Sequence, residues 1–308
     1  MLKPIRVRAV RILTCLIALA VAVPAVAQNA PPPAAKAKKL LMWKATSPTA
    51  TVYLLGSIHV GDASMYPMPA VVETAFAGSK VLAVEINLKS VDQSKALKLV
   101  QDYGVYTGDD ALPQHISKET AAALAEFCTK NGFPPAAFDK LKPWVAAVTV
   151  IAVAWKQAGE DPALGVDQHF LDESKAPQRI DEFETAELQM SILSGLSEAE
   201  QQEMLTQTLL RADKVQESLK KMQDAWKAGD SDVLLSLMND QDGMPESVKK
   251  KLLDDRNVAM ADRVDGYLKG KEPCFVVVGA AHLPGEKGVV KLLQSKGYKV
   301  EQLAVDSK

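Results

Sequence analysis

The chain is poor in the residues that build most metal and redox centres: 308 residues include only four histidines and three cysteines. Cys15 lies inside an N-terminal apolar run, and neither Cys128 nor Cys274 sits in a metal-type spacing. A surplus of one charge is also missing, with 36 Lys and Arg against 38 Asp and Glu and a net charge of −2. Without a basic excess, nucleic acid is a poor partner. No apolar run reaches the ~20 residues that a membrane-spanning helix needs. The nearest, Ile12 to Val23, is too short for a retained anchor.

That run sits in a recognisable setting. Lys3, Arg6, Arg8 and Arg11 precede it, and Ala25-Val26-Ala27 follows as a small-x-small cleavage site. The pattern predicts a secretory signal peptide over residues 1–27. Cys15 lies within the run rather than after it, which argues against a lipoprotein signal. Cleavage after Ala27 leaves 281 residues and, with four basic side chains removed, a net charge of −6. The expected location is the bacterial periplasm or the medium, with no stable membrane span after cleavage. Such a compartment permits a Cys128–Cys274 disulfide, although Phe127 and Phe275-Val-Val-Val suit buried free thiols equally. Nothing in the sequence sets the oligomeric state.

Residues 28–39, rich in Pro, Ala and Lys, read as a flexible tether, and 40–308 as one domain. The predicted class is α/β: a central mixed β-sheet built from N- and C-terminal βαβ units, with a large helical insertion at about 90–270. Leu40 to Ala45 and Thr51 to Leu55 suit a hairpin around Ser47-Pro48-Thr49. A short helix with Val71, Val72, Ala75 and Phe76 on one side stops at Gly78, and Val81 to Glu85 follows as a strand. In the middle, helices are predicted from Ser90, over Ser117 to Asn131, over Trp144 to Gln157 with Pro143 in the first turn, and from Gly165. A strand over Gln178 to Glu184 precedes two long helical stretches, Glu187 to Gln216 and Ser218 to Leu237, and a last one, Glu246 to Lys269. The end repeats the beginning: strand Cys274 to Val278, a helix through Val289 and Leu293, then a strand from Tyr298 to Val305.

Two of the four histidines occupy equivalent places in these terminal units. Gly56-Ser57-Ile58-His59 and Gly279-Ala280-Ala281-His282 each follow an apolar strand. The glycine allows close approach of the backbone to a ligand, and the histidine three residues on can face the crevice outside the carboxyl ends of the strands. Gly56 and Gly279 are therefore expected to line that ligand. A histidine that only bonds within its own loop is the simpler explanation of one such motif, and a weaker one of two. Glu85 interrupts an apolar strand, where a carboxylate needs a counter-charge or a metal. Glu184 ends another strand, as a site carboxylate or a charge in the next helix's first turn. Val248, Leu252, Arg256, Met260 and Val264 recur every four residues, so Arg256 lies in an apolar stripe beside Asn257 and calls for an anionic partner. Two imidazoles and one or two carboxylates suit a divalent ion, with His59, Glu85 and His282 as ligands and Mn, Co, Zn or Fe as candidates. Glu184 then serves as general base, and Arg256 with Asn257 as substrate anchors. His115 and His169 are expected to be ordinary surface or core histidines, and Asp167 in Gly-Val-Asp either a partner behind a site ligand or, as the favoured reading, a first-turn helix carboxylate.

These residues resemble the TraB/GumN family, which is similar to the TIKI metalloproteases and distantly to erythromycin-esterase and haem-binding ChaN-like proteins. The match rests on Leu54-Leu-Gly-Ser-Ile-His59-Val, Glu85 in Val-Glu-Ile-Asn, Gly165-Val-Asp167, Phe183-Glu-Thr185 with Glu187 and Gln189, Arg256-Asn257, and Val278-Gly-Ala-Ala-His282-Leu-Pro-Gly. The usual Leu-Glu pair appears here as Phe183-Glu184. The resemblance implies an α/β fold with both Gly-x-x-His motifs and the glutamate at one site, and metal-dependent peptidase activity in one branch. The resulting expectation is an exported metal-dependent hydrolase acting on a peptide or small molecule. The competing class is a non-catalytic periplasmic protein holding haem or a metal.

Overall fold

The computed structural model of the chain describes residues 38–239 and 245–306. The expected signal peptide, and all of the tether except Lys38 and Lys39, lie outside the described residues. Six strands form one mixed sheet: β1 (Lys39–Thr46), β2 (Thr51–Ser57), β3 (Val81–Val84), β4 (Arg179–Glu182), β5 (Cys274–Gly279) and β6 (Lys299–Ala304). Their order is β4-β3-β5-β2-β1-β6. β1 is antiparallel to both β2 and β6, whereas β5 runs parallel to β2 and β3, and β3 parallel to β4. β5, the first strand of the C-terminal unit, thus lies between the two strands of the N-terminal βαβ unit. Every residue of β5 is buried, as its unbroken Cys-Phe-Val-Val-Val-Gly run requires of a central parallel strand.

The helices between β3 and β5 largely follow the sequence pattern. Ser117 accepts from the Thr120 backbone N–H to start Lys118–Asn131, and Gly132, at φ 69°, ends it. Helix Pro143–Gln157 is apolar on most sides because it serves two cores. Trp144, Val145 and Val148 join the sheet's core, while Ala146, Ala147 and Val150 join a smaller one with Leu124, Phe127 and Phe138. Each such fully buried large side chain contributes about 1.5–3 kcal/mol.

The two long helices expected here are broken. A capping box, Ser197 with Glu200, closes Ala186–Ser194 off from Glu198–Arg211. Gly229, at φ 64°, separates Val215–Ala228 from Ser231–Asn239. There the glycine is obligatory, because a Cβ would sit 2.4 Å from the Lys39 backbone. The last expected helix holds a π-helical stretch, Lys250–Asp254, between Glu246–Lys249 and Asp255–Leu268.

Cys128 and Cys274 are buried free thiols in different cores. Among the described residues no helix is long and apolar enough to cross a membrane.

Candidate functional site

His59 and His282, 223 positions apart, come together beside Gly279. The cause is the strand order. β2 and β5 are parallel neighbours in register, Ser57 opposite Gly279, so both Gly-x-x-His loops leave the same end of the sheet. β3 flanks β5 on its other side and delivers Glu85 to that end. A Cβ built on Gly279 would lie 3.1 Å from Glu85 Oε1, 3.2 Å from His59 Nε2 and 3.4 Å from His282 Cδ2. All three side chains are buried, with exposures of 6 % for His59, 5 % for Glu85 and 0 % for His282.

Each imidazole is held from behind. Asp167 Oδ1 is 3.0 Å from His59 Nδ1. Asn257 Oδ1 is 2.6 Å from His282 Nδ1, while the Asn257 amide nitrogen donates to the Lys287 carbonyl at 3.0 Å. That second bond fixes the Asn257 oxygen towards the ring, so His282 donates from Nδ1. In both rings the remaining nitrogen, Nε2, is buried and has no hydrogen-bond partner. Asp167 reaches His59 because helix Val166–Glu173 starts against the His59 loop. Gly165 lies so close that a Cβ there would be 2.5 Å from the His59 carbonyl oxygen, and Val166 N–H donates to Ile58 O at 2.9 Å.

Arg256 organises the carboxylates. Its Nη2 donates to Glu85 Oε2 at 2.7 Å and to Glu184 Oε2 at 2.8 Å, its Nε to Glu184 Oε1 at 2.7 Å, and its Nη1 to the Leu252 carbonyl at 2.9 Å. Glu184 also accepts from Gln189 Nε2 at 2.9 Å. Glu85 Oε1 accepts the Gly279 N–H and lies 3.6 Å from His282 Nε2.

Electrostatics then sort the site. Burial opposes ionisation of Glu85, but the His282 ring, the Arg256 guanidinium, the His59 ring and the Gly279 N–H together hold its carboxyl down to about 2. Burial pushes His282 down to about 3, aided by Arg256 and His59 against the pull of Glu85. Burial also depresses His59, but the Asp167 carboxylate beside it outweighs this and raises its pKa. His282 is therefore neutral with a free Nε2 lone pair, and Glu85 is an anion.

A depressed carboxylate stabilises the fold above its unfolded pKa. The contribution of Glu85 is fully present above about pH 4.5 and is lost as pH falls towards about 2. Urea midpoints measured across this window should fall with acid in the wild type, and the Glu85→Gln chain should lack that share of the fall.

The donor set fits a divalent ion in its chemistry. Two imidazole nitrogens without hydrogen-bond partners and an ionised carboxylate converge, a set of nitrogen and oxygen donors of the kind divalent ions take. The side chains converge without closing on one point: among the described residues, no three His, Cys, Asp or Glu groups stand in a ready metal-binding cluster. Gly279→Ala tests the position directly. Its backbone, at φ −48°, accepts alanine, so the chain should still fold, while the added methyl pushes His59 and Glu85 apart by a few tenths of an ångström. Stability should fall by about 1–3 kcal/mol in urea titrations, and ligand binding at the site should be lost in calorimetry.

Several expected roles change. Glu184 is bonded by Arg256 and Gln189 rather than by either imidazole. Arg256 engages Glu85, Glu184 and the Leu252 carbonyl through all three guanidinium nitrogens, and Asn257 holds His282, so both act here as groups that position the site. Of the two glycines, only Gly279 adjoins the histidines. Gly56 instead allows close packing, as its Cβ would be 2.8 Å from Leu41 Cδ2. Asp167 is both a first-turn residue and the partner of His59, so the two alternatives offered by the Gly-Val-Asp motif coincide. His115 stacks on Tyr106 at 4.4 Å and bonds Asp110, and His169 lies 4.4 Å from the Tyr66 ring. A separate cleft, lined by Trp155, Met204, Met222 and Leu252, belongs to the helical insertion and includes none of the three converging side chains.

The model of the TraB/PrgY/gumN family matches residues 41–302. Uncharacterized protein YbaP of Escherichia coli (strain K12) is 25% identical over 244 residues, covering 79% of this chain and 87% of that protein. YbaP of Shigella flexneri matches to the same extent. No solved structure gives a significant match.

Proposed function

The chain belongs to the TraB/PrgY/gumN family, and from that premise we propose that it is an exported metal-dependent hydrolase. The observation that carries this is the pair of buried, unpartnered Nε2 atoms on His59 and His282 beside the ionised Glu85. These three would hold the ion. When bound, such an ion lowers the pKa of water and polarises a carbonyl, which suits hydrolysis of a peptide or small ester. The chain's own contribution is positional. Asp167 and Asn257 orient the imidazoles with Nε2 inward, the second-sphere arrangement typical of metal-bound histidine. Arg256 keeps Glu85 ionised and aimed at Gly279, while burial excludes bulk water.

Metal analysis of the purified protein, with peptide and ester hydrolysis assays, tests this. The expected result is close to one divalent ion per chain and activity lost on chelation. Protein that neither retains nor rebinds Mn, Co, Zn or Fe would overturn it. A second reading, metal held without catalysis, is favoured by the burial of all three donors, which leaves a peptide no direct contact with them in this state. Metal present without hydrolysis would select that reading. Haem suits the site less well, because it needs a broad apolar cleft and Gly279 is ringed closely by charged and polar groups. Export rests on the residue pattern of the first 27 positions, and N-terminal sequencing of the secreted chain, expected to begin at Gln28, tests it.

A further inference from the structure

One buried polar group at this end of the sheet has no structural explanation. Ser57, the last residue of β2, is only 1 % exposed, and its Oγ has no hydrogen-bond partner. A hydroxyl in that condition destabilises the fold relative to one that is bonded. Serine could have been alanine here without loss of packing volume beyond one oxygen.

The register shows what the hydroxyl faces. Ser57 is the parallel partner of Gly279. Register partners in neighbouring strands point their side chains to the same face, with strands about 4.8 Å apart. The Gly279 Cβ direction is the one that meets Glu85 Oε1, His59 Nε2 and His282 Cδ2. The Ser57 hydroxyl therefore shares that face, one strand away from the converging groups. The backbone carbonyls on either side in sequence are already occupied: that of Gly56 accepts from Trp226 Nε1 at 2.6 Å, and that of Ile58 accepts the Val166 N–H.

We propose that Ser57 is a ligand-positioning residue, whose hydroxyl donates to an oxygen of the small ligand held beside Gly279 by His59, His282 and Glu85. The two imidazole nitrogens and the carboxylate would be engaged by the cation itself, which leaves the Ser57 hydroxyl to donate to an oxygen that the cation carries. The ligand class this selects is an oxygen-bearing one bound to that cation, either water or a carbonyl or carboxylate oxygen. The inference rests on the metal-site reading above, and its experiment separates the two.

The experiment is a thermal-unfolding titration with MnCl2, and in parallel with ZnCl2, on metal-stripped wild type, Ser57→Ala, Ser57→Thr and His59→Ala. Without metal, Ser57→Ala should melt at or above the wild-type temperature, because a buried unbonded hydroxyl is removed. Its midpoint for metal should rise by about 10-fold, the scale of losing an outer-sphere hydrogen bond. Ser57→Thr should keep the wild-type midpoint. His59→Ala should lose the shift. If His59→Ala loses the shift and Ser57→Ala keeps the wild-type midpoint, the serine proposal falls and the metal site stands. A lower melting temperature of metal-free Ser57→Ala would make the hydroxyl structural and overturn the proposal. Absence of any metal shift in the wild type would overturn the metal reading and the serine role together.

Discussion

Arg256→Met should destabilise the protein by about 3–5 kcal/mol, the scale of leaving buried charge without its partner. In a domain of this size that lowers Tm by on the order of 10 °C in calorimetry. Arg256 is 4 % exposed and lies between Glu85 and Glu184, themselves 5 % and 6 % exposed. Removing the guanidinium leaves two carboxylates facing each other with only the Gly279 N–H and the Gln189 amide as donors. The variant should then bind protons in compensation, so its stability should recover on mild acidification, opposite in sign to the wild type. The control is the triple variant Glu85→Gln, Glu184→Gln, Arg256→Met. Replacing a whole buried ion cluster is often neutral, so most of the lost stability should return, while ligand binding should not. A single Arg256→Met chain as stable as wild type would show that the cluster does not hold the insertion helix on the sheet.

His59→Ala and His282→Ala should each lower divalent-metal affinity by more than about 100-fold, and hydrolysis with it. Loss of an outer partner alone typically costs 10–100-fold, and loss of a ligand exceeds that. Asp167→Asn and Asn257→Leu should therefore fall in the 10–100-fold range, because each disturbs only the orientation of its ring. Isothermal titration with Mn2+ and Zn2+ measures all four. The graded order separates a metal role from a packing role. If His282 merely filled space, His282→Leu would restore what alanine lost, and Asn257 would not matter to binding. Equal affinities for wild type and His59→Ala would remove both histidines from the site.

Much of this site can be read from residue types. The two Gly-x-x-His motifs, the carboxylate ending an apolar strand and the arginine in a four-residue apolar repeat each violate a local rule of burial. Such violations need a partner, so they name their own positions. Glu85 and Arg256 were each expected to have a counter-charge, and they turn out to be part of each other's. Helix starts and stops were legible wherever the cap is local, as at Ser117 and Gly132. The breaks at Ser197 and Gly229 were missed because apolar periodicity continues across both, and only a capping box and a left-handed glycine interrupt the backbone.

The sequence by itself determined the α/β class and pointed to His59, Glu85 and His282 as residues that converge, because burial preference, helix capping and motif spacing act over a few residues. Tertiary structure alone decided what each residue touches. That β5 inserts between β2 and β3 is a choice among strand orders of similar local propensity, made by long-range packing of an all-apolar strand. This insertion places His282 beside His59 and Glu85, and turns Asp167, Asn257 and Arg256 from expected helix charges and substrate anchors into the groups that aim them.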